Sequence, residues 1–189
     1  MPMSRLLAVD LAKSYRLLNH GPTVLVSCAA GERSNVMAAA WAMPLDFDPP
    51  KVAVVIDKAT YSRELIEASG EFVLNVPCRA QAAEVLRAGG ADGRRVDKFA
   101  HSGLSRLPSL RVGAPRVDGC IAYLECRVIS EPENESRYDL FIGEVVAAEA
   151  DAEVFADGHW RFDDDAKRSL HYIAGGAFFA TGEAFEVEK

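Results

Sequence analysis

Residues 34 to 62 read SNVMAAAWAMPLDFDPPKVAVVIDKATYS. The pattern is a strand of small residues running into a Trp, a proline-rich reversal at Asp48-Pro49-Pro50, a second and more apolar strand at Val52 to Ile56, and a helix start. Alternation places Asn35, Met37, Ala39 and Trp41 on one face of the first strand, and Val36, Ala38, Ala40 and Ala42 on the other. Three consecutive alanines bury little area, so this strand lets something flat approach its backbone, flanked by one amide and one large ring. The alternative is a tightly packed sheet contact. Thr60 is placed to cap the helix that follows, and its open N-H groups, two hydroxyls (Thr60, Ser62) and Arg63 suit an anion. A capped helix without a ligand is the plain alternative.

Working outward, Leu7, Leu11, Tyr15 and Leu18 fall at helical spacing before Gly21-Pro22, which predicts an opening amphipathic helix. Thr23 to Cys28 reads as a buried strand, and Ala30-Gly31-Glu32-Arg33 as the hairpin turn that pairs it with the Asn35 strand. Glu71 to Val76 is a further strand, followed by a helix that Pro77 opens and Gly89-Gly90 closes. The Gly89-to-Gly93 run follows a helix and is therefore no dinucleotide fingerprint. Residues 91 to 118 lack periodicity and predict an irregular excursion carrying Lys98; long ordered loops are often functional. Two long strands, Cys120 to Ser130 and Tyr138 to Glu149, are expected on either side of a polar turn at Glu131 to Glu135. A short hairpin at Ala156 to His159 and a returning segment from Leu170 to Phe179 complete the pattern.

The 189 residues suit one domain with a full core, and 49% hydrophobic with 26% charged residues is ordinary globular composition. A net charge of -7 argues against nucleic acid, whose binders carry basic surfaces. Neither a signal-peptide pattern at Met1 nor an 18-residue apolar run occurs, which predicts a cytoplasmic protein without a membrane partner. Cys28, Cys78, Cys120 and Cys126 form no C-x-x-C pair; on one strand, Cys120 and Cys126 would lie about 20 Å apart, too far to bridge, so all four read as reduced thiols. His20, His101, His159 and His171 show no metal-ligand spacing, and no G-x-S-x-G elbow supports a serine hydrolase.

The order Asn35-x5-Trp41, then D-P-P, an apolar strand, the Thr60/Ser62 helix start and G-E-F-V-L-N-V at Gly70 to Val76 resembles the flavin reductase-like family of FMN-binding split barrels. Further marks stand at Asp97-Lys98-Phe99, at Leu140 to Val145, and at Gly175 to Phe179, so the resemblance spans roughly residues 15 to 182. It implies a mainly β (α+β) split β-barrel with flanking helices, one domain over residues 1 to 189. By the same resemblance, Asn35, Val36, Met37 and Trp41 would surround the FMN ring, Thr60, Ser62 and Lys98 would hold its phosphate, and Tyr138 stands where many relatives carry a His. Phe178 or Phe179 would close the pocket.

Flavin chemistry resides in the ring, so no catalytic triad is needed. The resemblance implies a flavin-dependent oxidoreductase taking hydride from NAD(P)H, with FMN, or FAD as substrate, and a partner oxygenase as one acceptor. It further implies a homodimer whose subunits both wall the flavin. A flavoredoxin-like electron carrier and a non-catalytic flavin-binding module are the alternatives. Arg94 and Arg95 are candidates for telling NADH from NADPH, or a solvated basic turn.

Overall fold

The computed structural model describes residues 5–188. The strands of its main sheet, in chain order, are β1 (Leu6–Ala8), β2 (Val24–Ala30), β3 (Arg33–Ala39), β4 (Ala42–Phe47), β5 (Pro50–Val55), β6 (Glu71–Val76), then two short strands β7 (Arg106–Leu107) and β8 (Arg116–Val117) that pair apart from it, β9 (Ala122–Ile129) and β10 (Leu140–Asp151). The sheet runs β3-β2-β6-β9-β10-β5-β4, antiparallel throughout. The twelve-residue β10 joins its two halves: one edge carries β9, and the other carries β5 near Leu140 and β1 near Asp151. Small hairpins β11 (Phe155–Ala156) with β12 (His159–Trp160), and β13 (Leu170–Ala174) with β14 (Ala177–Ala180), complete the chain.

Alternation explains which face each strand buries. On β2, Val24, Val26 and Cys28 enter the main core, as do Phe72, Leu74 and Val76 of β6 and Leu124 and Cys126 of β9. The intervening residues Leu25 and Tyr123, with Val36 of β3, face a second apolar cluster. Three helices bear on this arrangement: α1 (Tyr61–Ser69), α2 (Ala82–Gly90) and α3 (Lys98–Ser102). α1 buries Leu65 and Ile66 in the main core, whereas α2 and α3 place Val85, Ala88 and Phe99 in the second. The ligand-sized cleft described below opens between α1 and α2, along β3.

Three sequence expectations are corrected here. The described residues open with no amphipathic α-helix: Leu6–Ala8 pairs with the end of β10, and Leu11–Leu17 is a 3-10 turn whose N-cap Asp10 accepts from the Ala12 amide; of Leu7, Leu11, Tyr15 and Leu18, only Leu18 is fully buried, beside its neighbour Leu17. The reversal at Asp48-Pro49 joins β5 to the extra strand β4, not to the Asn35 strand, because the chain bends at Ala40-Trp41 and pairs Ala42 to Phe47 along β5. Pro44 suits this edge strand, where a missing N-H leaves no ladder bond unmade. The expected turn at Glu131 to Glu135 is part of a helix, α4 (Pro132–Tyr138), opened by Pro132 and stopped by Asp139 at φ 55, so Tyr138 precedes β10 and does not begin it.

The excursion at 91 to 118 is irregular apart from α3 and the short β7–β8 pair, and it is firmly anchored. Asp97 caps α3 by accepting from the Phe99 and Ala100 amides, and so fixes Lys98 in the first turn. Farther on, buried Asn75 donates to the Leu25 carbonyl (2.8 Å) and accepts from the Val117 amide (2.8 Å). Buried Glu125 accepts from the Leu110 and Arg111 amides, and Arg116 lies over the Tyr123 ring while pairing with Glu149. Strand side chains thus supply the partners that periodic backbone structure would otherwise give this segment.

Candidate functional site

The cleft has two joined compartments. The larger, about 680 Å³, is lined by the backbone and small side chains of Met37 to Trp41, by Val85 and Leu86 of α2, and by Tyr138, Tyr172 and Phe178. Its charged lining residues are Asp57 and Asp139, and Asp139 is already bound to Arg63 at 2.6 Å. The smaller compartment, about 310 Å³, is polar: Asn35, Thr60, Ser62, Asp92, Gly93, Arg94 and Lys98 line it. Met37, Ala38, Gly89 and Gly90 border both, so the two are ends of one slot. Its volume lies in the range of small-molecule and cofactor sites.

The polar end contains a cation that no carboxylate among the described residues pairs with directly. Lys98 is 5% exposed and forms no salt bridge among the described residues. Burial pulls its pKa below the usual lysine value, against the opposing pull of Cys28 and Asp92. Cys28 cannot serve as an anion, because burial pushes its thiol up to about 12. An incoming phosphate would supply what Lys98 lacks.

Around Lys98 stand further unspent groups. Asn35, buried, donates from Nδ2 to the Ser62 hydroxyl (3.0 Å), while its Oδ1 has no partner among the described residues. Ser62 accepts that bond and retains its own O-H to donate. As the first residues of α1, Tyr61 and Ser62 present N-H groups that no intrahelical carbonyl can take. Thr60 differs: its hydroxyl donates to the Asp57 carbonyl (2.8 Å) and accepts from the Arg63 amide (3.3 Å), so it is spent on capping. Arg63 likewise turns away from the anion end, bonding Glu67, Asp139 and the Glu135 carbonyl, and braces the end of α4 beside α1.

The remaining sequence candidates fall as follows. Met37 borders both compartments, whereas Val36 is fully buried in the second apolar cluster and can offer only backbone. Trp41 stands at the rim of the apolar compartment, 74% exposed, with its carbonyl held by the Val55 amide. Tyr138 lines the same compartment from the end of α4. Phe178 lines it while Phe179 is 67% exposed outside, which decides between the two. Arg94 lines the polar end but is engaged by Glu64, and Arg95 is exposed beside Asp92.

Sequence reasoning missed the glycines. Gly89 and Gly90, read only as a helix stop, border both compartments, and a Cβ on Gly93 would lie 2.4 Å from Asn35 Oδ1. The available signal was their place: a small-residue run a few positions before Lys98.

A slot of this kind suits a flat apolar group at one end and, at the other, an anion together with hydrogen-bond donors to Asn35. Comparison with known proteins agrees in kind. A family model described as Flavin reductase like domain matches residues 15–175. Among solved structures, the FMN-binding domain of a flavin reductases-like enzyme from Shewanella baltica OS155 superposes with a TM-score of 0.97 at 50% identity, over 100% of both chains. The flavoredoxin of Desulfovibrio vulgaris (Miyazaki F) gives 0.76 at 30% identity, over 88% of this chain and 90% of its own. The uncharacterized protein YddH of Escherichia coli (strain K12) is 43% identical over 184 residues, 96% of this chain and 97% of its own. The mainly β sheet with its flanking helices is therefore the FMN-binding split barrel expected from the sequence, and the chain belongs to the flavin reductase-like family.

Proposed function

We propose that this chain binds FMN in the two-compartment slot and acts as a flavin-dependent oxidoreductase that takes hydride from NAD(P)H. The observation that carries the reading is Lys98: a buried ammonium that forms no salt bridge among the described residues, at one end of a slot whose other end is apolar and lined by alanines. Lys98, the Ser62 hydroxyl and the Tyr61 and Ser62 amides would hold the phosphate. Asn35 Oδ1 would accept from a ribityl hydroxyl, and Met37 to Trp41, with Tyr138 and Phe178, would enclose the ring. The bound flavin would supply the two-electron chemistry, and the protein orients it and excludes water. Among the described residues that line the apolar end, Asp57 and Asp139 alone are charged, and no protein acid or base is asked to do more.

In this reading, NAD(P)H stacks on the ring with modest affinity, and reduced flavin serves an oxygenase or another acceptor. The chain acts as a homodimer: Trp41, Met43, Leu45 and Phe47 are exposed on and beside the edge strand β4, so a second copy there would cover apolar surface and wall the slot. The likeness to a flavoredoxin at 30% identity supports a second reading, an electron carrier with resident FMN. Anaerobic stopped-flow mixing separates the two. Bleaching of the bound flavin by NADH or NADPH is expected; a flavin that stays oxidised with both, yet is reduced by dithionite or a redox protein, makes the carrier reading correct.

A further inference from the structure

We propose that Arg94, latched to Glu64, is the outer wall of the polar compartment and sets selectivity for FMN over FAD; this rests on the FMN reading above. Arg94 leaves the loop that follows α2 and reaches across to the start of α1. Its Nη1 donates to the Ala59 carbonyl at 2.9 Å, its Nε to Glu64 Oε1 at 2.9 Å, and Nη2 bonds the same carboxylate. Ala59 and Tyr61 line the compartment on one side, Asp92 and Arg94 on the other, so the guanidinium joins opposite walls. With 39% of its side chain exposed, it does so at the solvent edge. The loop is braced for this reach: the Arg94 amide donates to Asp92 Oδ1 (3.0 Å), and the Arg95 amide to the Asp92 carbonyl (3.0 Å).

Charge separates the two cations of this compartment. Arg94 is compensated by Glu64, with Asp92 at 3.8 Å, whereas Lys98 has no carboxylate within bonding distance. Lys98 is therefore the anion's partner and Arg94 the wall behind it. In this reading a terminal phosphate lies in the compartment that both residues line. In FAD the same phosphate is linked to a second phosphate and an adenosine, and that extension must leave past the phosphate, where the Arg94 side chain crosses. Admitting it requires breaking the Glu64 and Ala59 bonds, whereas FMN leaves them intact.

The test measures dissociation constants for FMN, FAD and riboflavin with wild type, Arg94→Ala and Glu64→Gln, alongside thermal melts to confirm folding. Wild type should bind FMN more tightly than FAD. Arg94→Ala should narrow that ratio by about tenfold, the worth of a partly exposed charged latch and a carbonyl bond, and Glu64→Gln, which keeps the Ala59 bond, by about two- to fivefold, mainly by tightening FAD. Riboflavin should be unaffected. The proposal is overturned if wild type binds both flavins equally, if a folded Arg94→Ala keeps the wild-type ratio, or if Arg94→Ala loses FMN as severely as a Lys98 variant does, which would make Arg94 a phosphate ligand. Wild type that binds FMN with an unmoved ratio in the variants sinks the wall alone; wild type that binds no FMN sinks the FMN reading and the wall with it.

Discussion

Replacing Lys98 with Met should move two measurements in opposite directions. Met keeps most of the buried stem and removes the ammonium. In the free protein that ammonium is desolvated and forms no salt bridge among the described residues, and its lowered pKa means that folding disfavours its charged form. The ligand-free Lys98→Met protein should therefore melt no lower than wild type. FMN should bind more weakly: a hydrogen bond to a charged group contributes about 1.5 to 3 kcal/mol, equivalent to a loss of about ten- to a hundredfold. Riboflavin, which lacks the phosphate, should bind both proteins alike. The pH dependence has a definite sign. The phosphate needs the protonated amine, so wild-type FMN affinity, taken relative to riboflavin, should fall as pH rises toward the ordinary lysine value of 10.5, while the variant stays flat. Isothermal calorimetry with both ligands and thermal melts of the free proteins supply the numbers. Equal losses for FMN and riboflavin would place Lys98 against the ring or in the fold, and an unchanged FMN constant would place the phosphate elsewhere.

Trp41→Ala should weaken flavin binding by about two- to tenfold, the worth of an aromatic contact, with the melt hardly moved because the ring is exposed; an unchanged titration removes Trp41 from the site. Gly93→Ala should push a methyl into the Asn35 amide and disturb its bond to Ser62, costing about two- to tenfold in FMN affinity; wild-type affinity would show that Asn35 does not touch the ligand. His20 lies against Trp160 and His171, and burial, followed by the charge of His171, lowers its pKa to about 4. Its neutral form is favoured in the fold, so the stability it contributes is present above pH 6.5 and lost as pH falls to about 4, on the order of 3 kcal/mol. His20→Gln should flatten that acid slope in denaturant melts across the same window, and an identical slope would assign the loss to other groups. Sedimentation at micromolar concentration should find a dimer that Phe47→Asp weakens; a wild-type monomer with full flavin affinity contradicts the shared wall.

What the sequence made legible is what local pattern controls. The Gly31-Glu32 turn brings Ala30 opposite Arg33, and with it the whole register of β2 on β3 down to Val24 opposite Ala39. The alternation that put Asn35 and Met37 on one face and Val36 on the other holds until the bend at Ala40. Long-range partners decided the rest. Leu7 falls in helical spacing with Leu11, Tyr15 and Leu18, yet the free edge of β10 takes Leu6 to Ala8 as a strand. Asp48-Pro49-Pro50 reads as a turn, but which strand lies before it depends on a pairing with β5 that no periodicity reveals. Within the site, Thr60 and Ser62 read as equivalent hydroxyls. Capping geometry spends one and frees the other, a difference that appears only once the helix start is placed. Gly93 and Asn35 are 58 positions apart, and the contact that requires the glycine exists only in the folded chain.

The placement of the ligand is the claim on which the rest depends, and a crystal structure of the FMN complex tests it most directly. The phosphate should lie in the polar compartment against the Lys98 ammonium, the Ser62 hydroxyl and the first amides of α1, with Asn35 on the ribityl chain, the ring along Ala38 to Ala40 and Arg94 still bonded to Glu64. A phosphate in solvent with Lys98 unengaged, or a flavin seated away from β3, would contradict it.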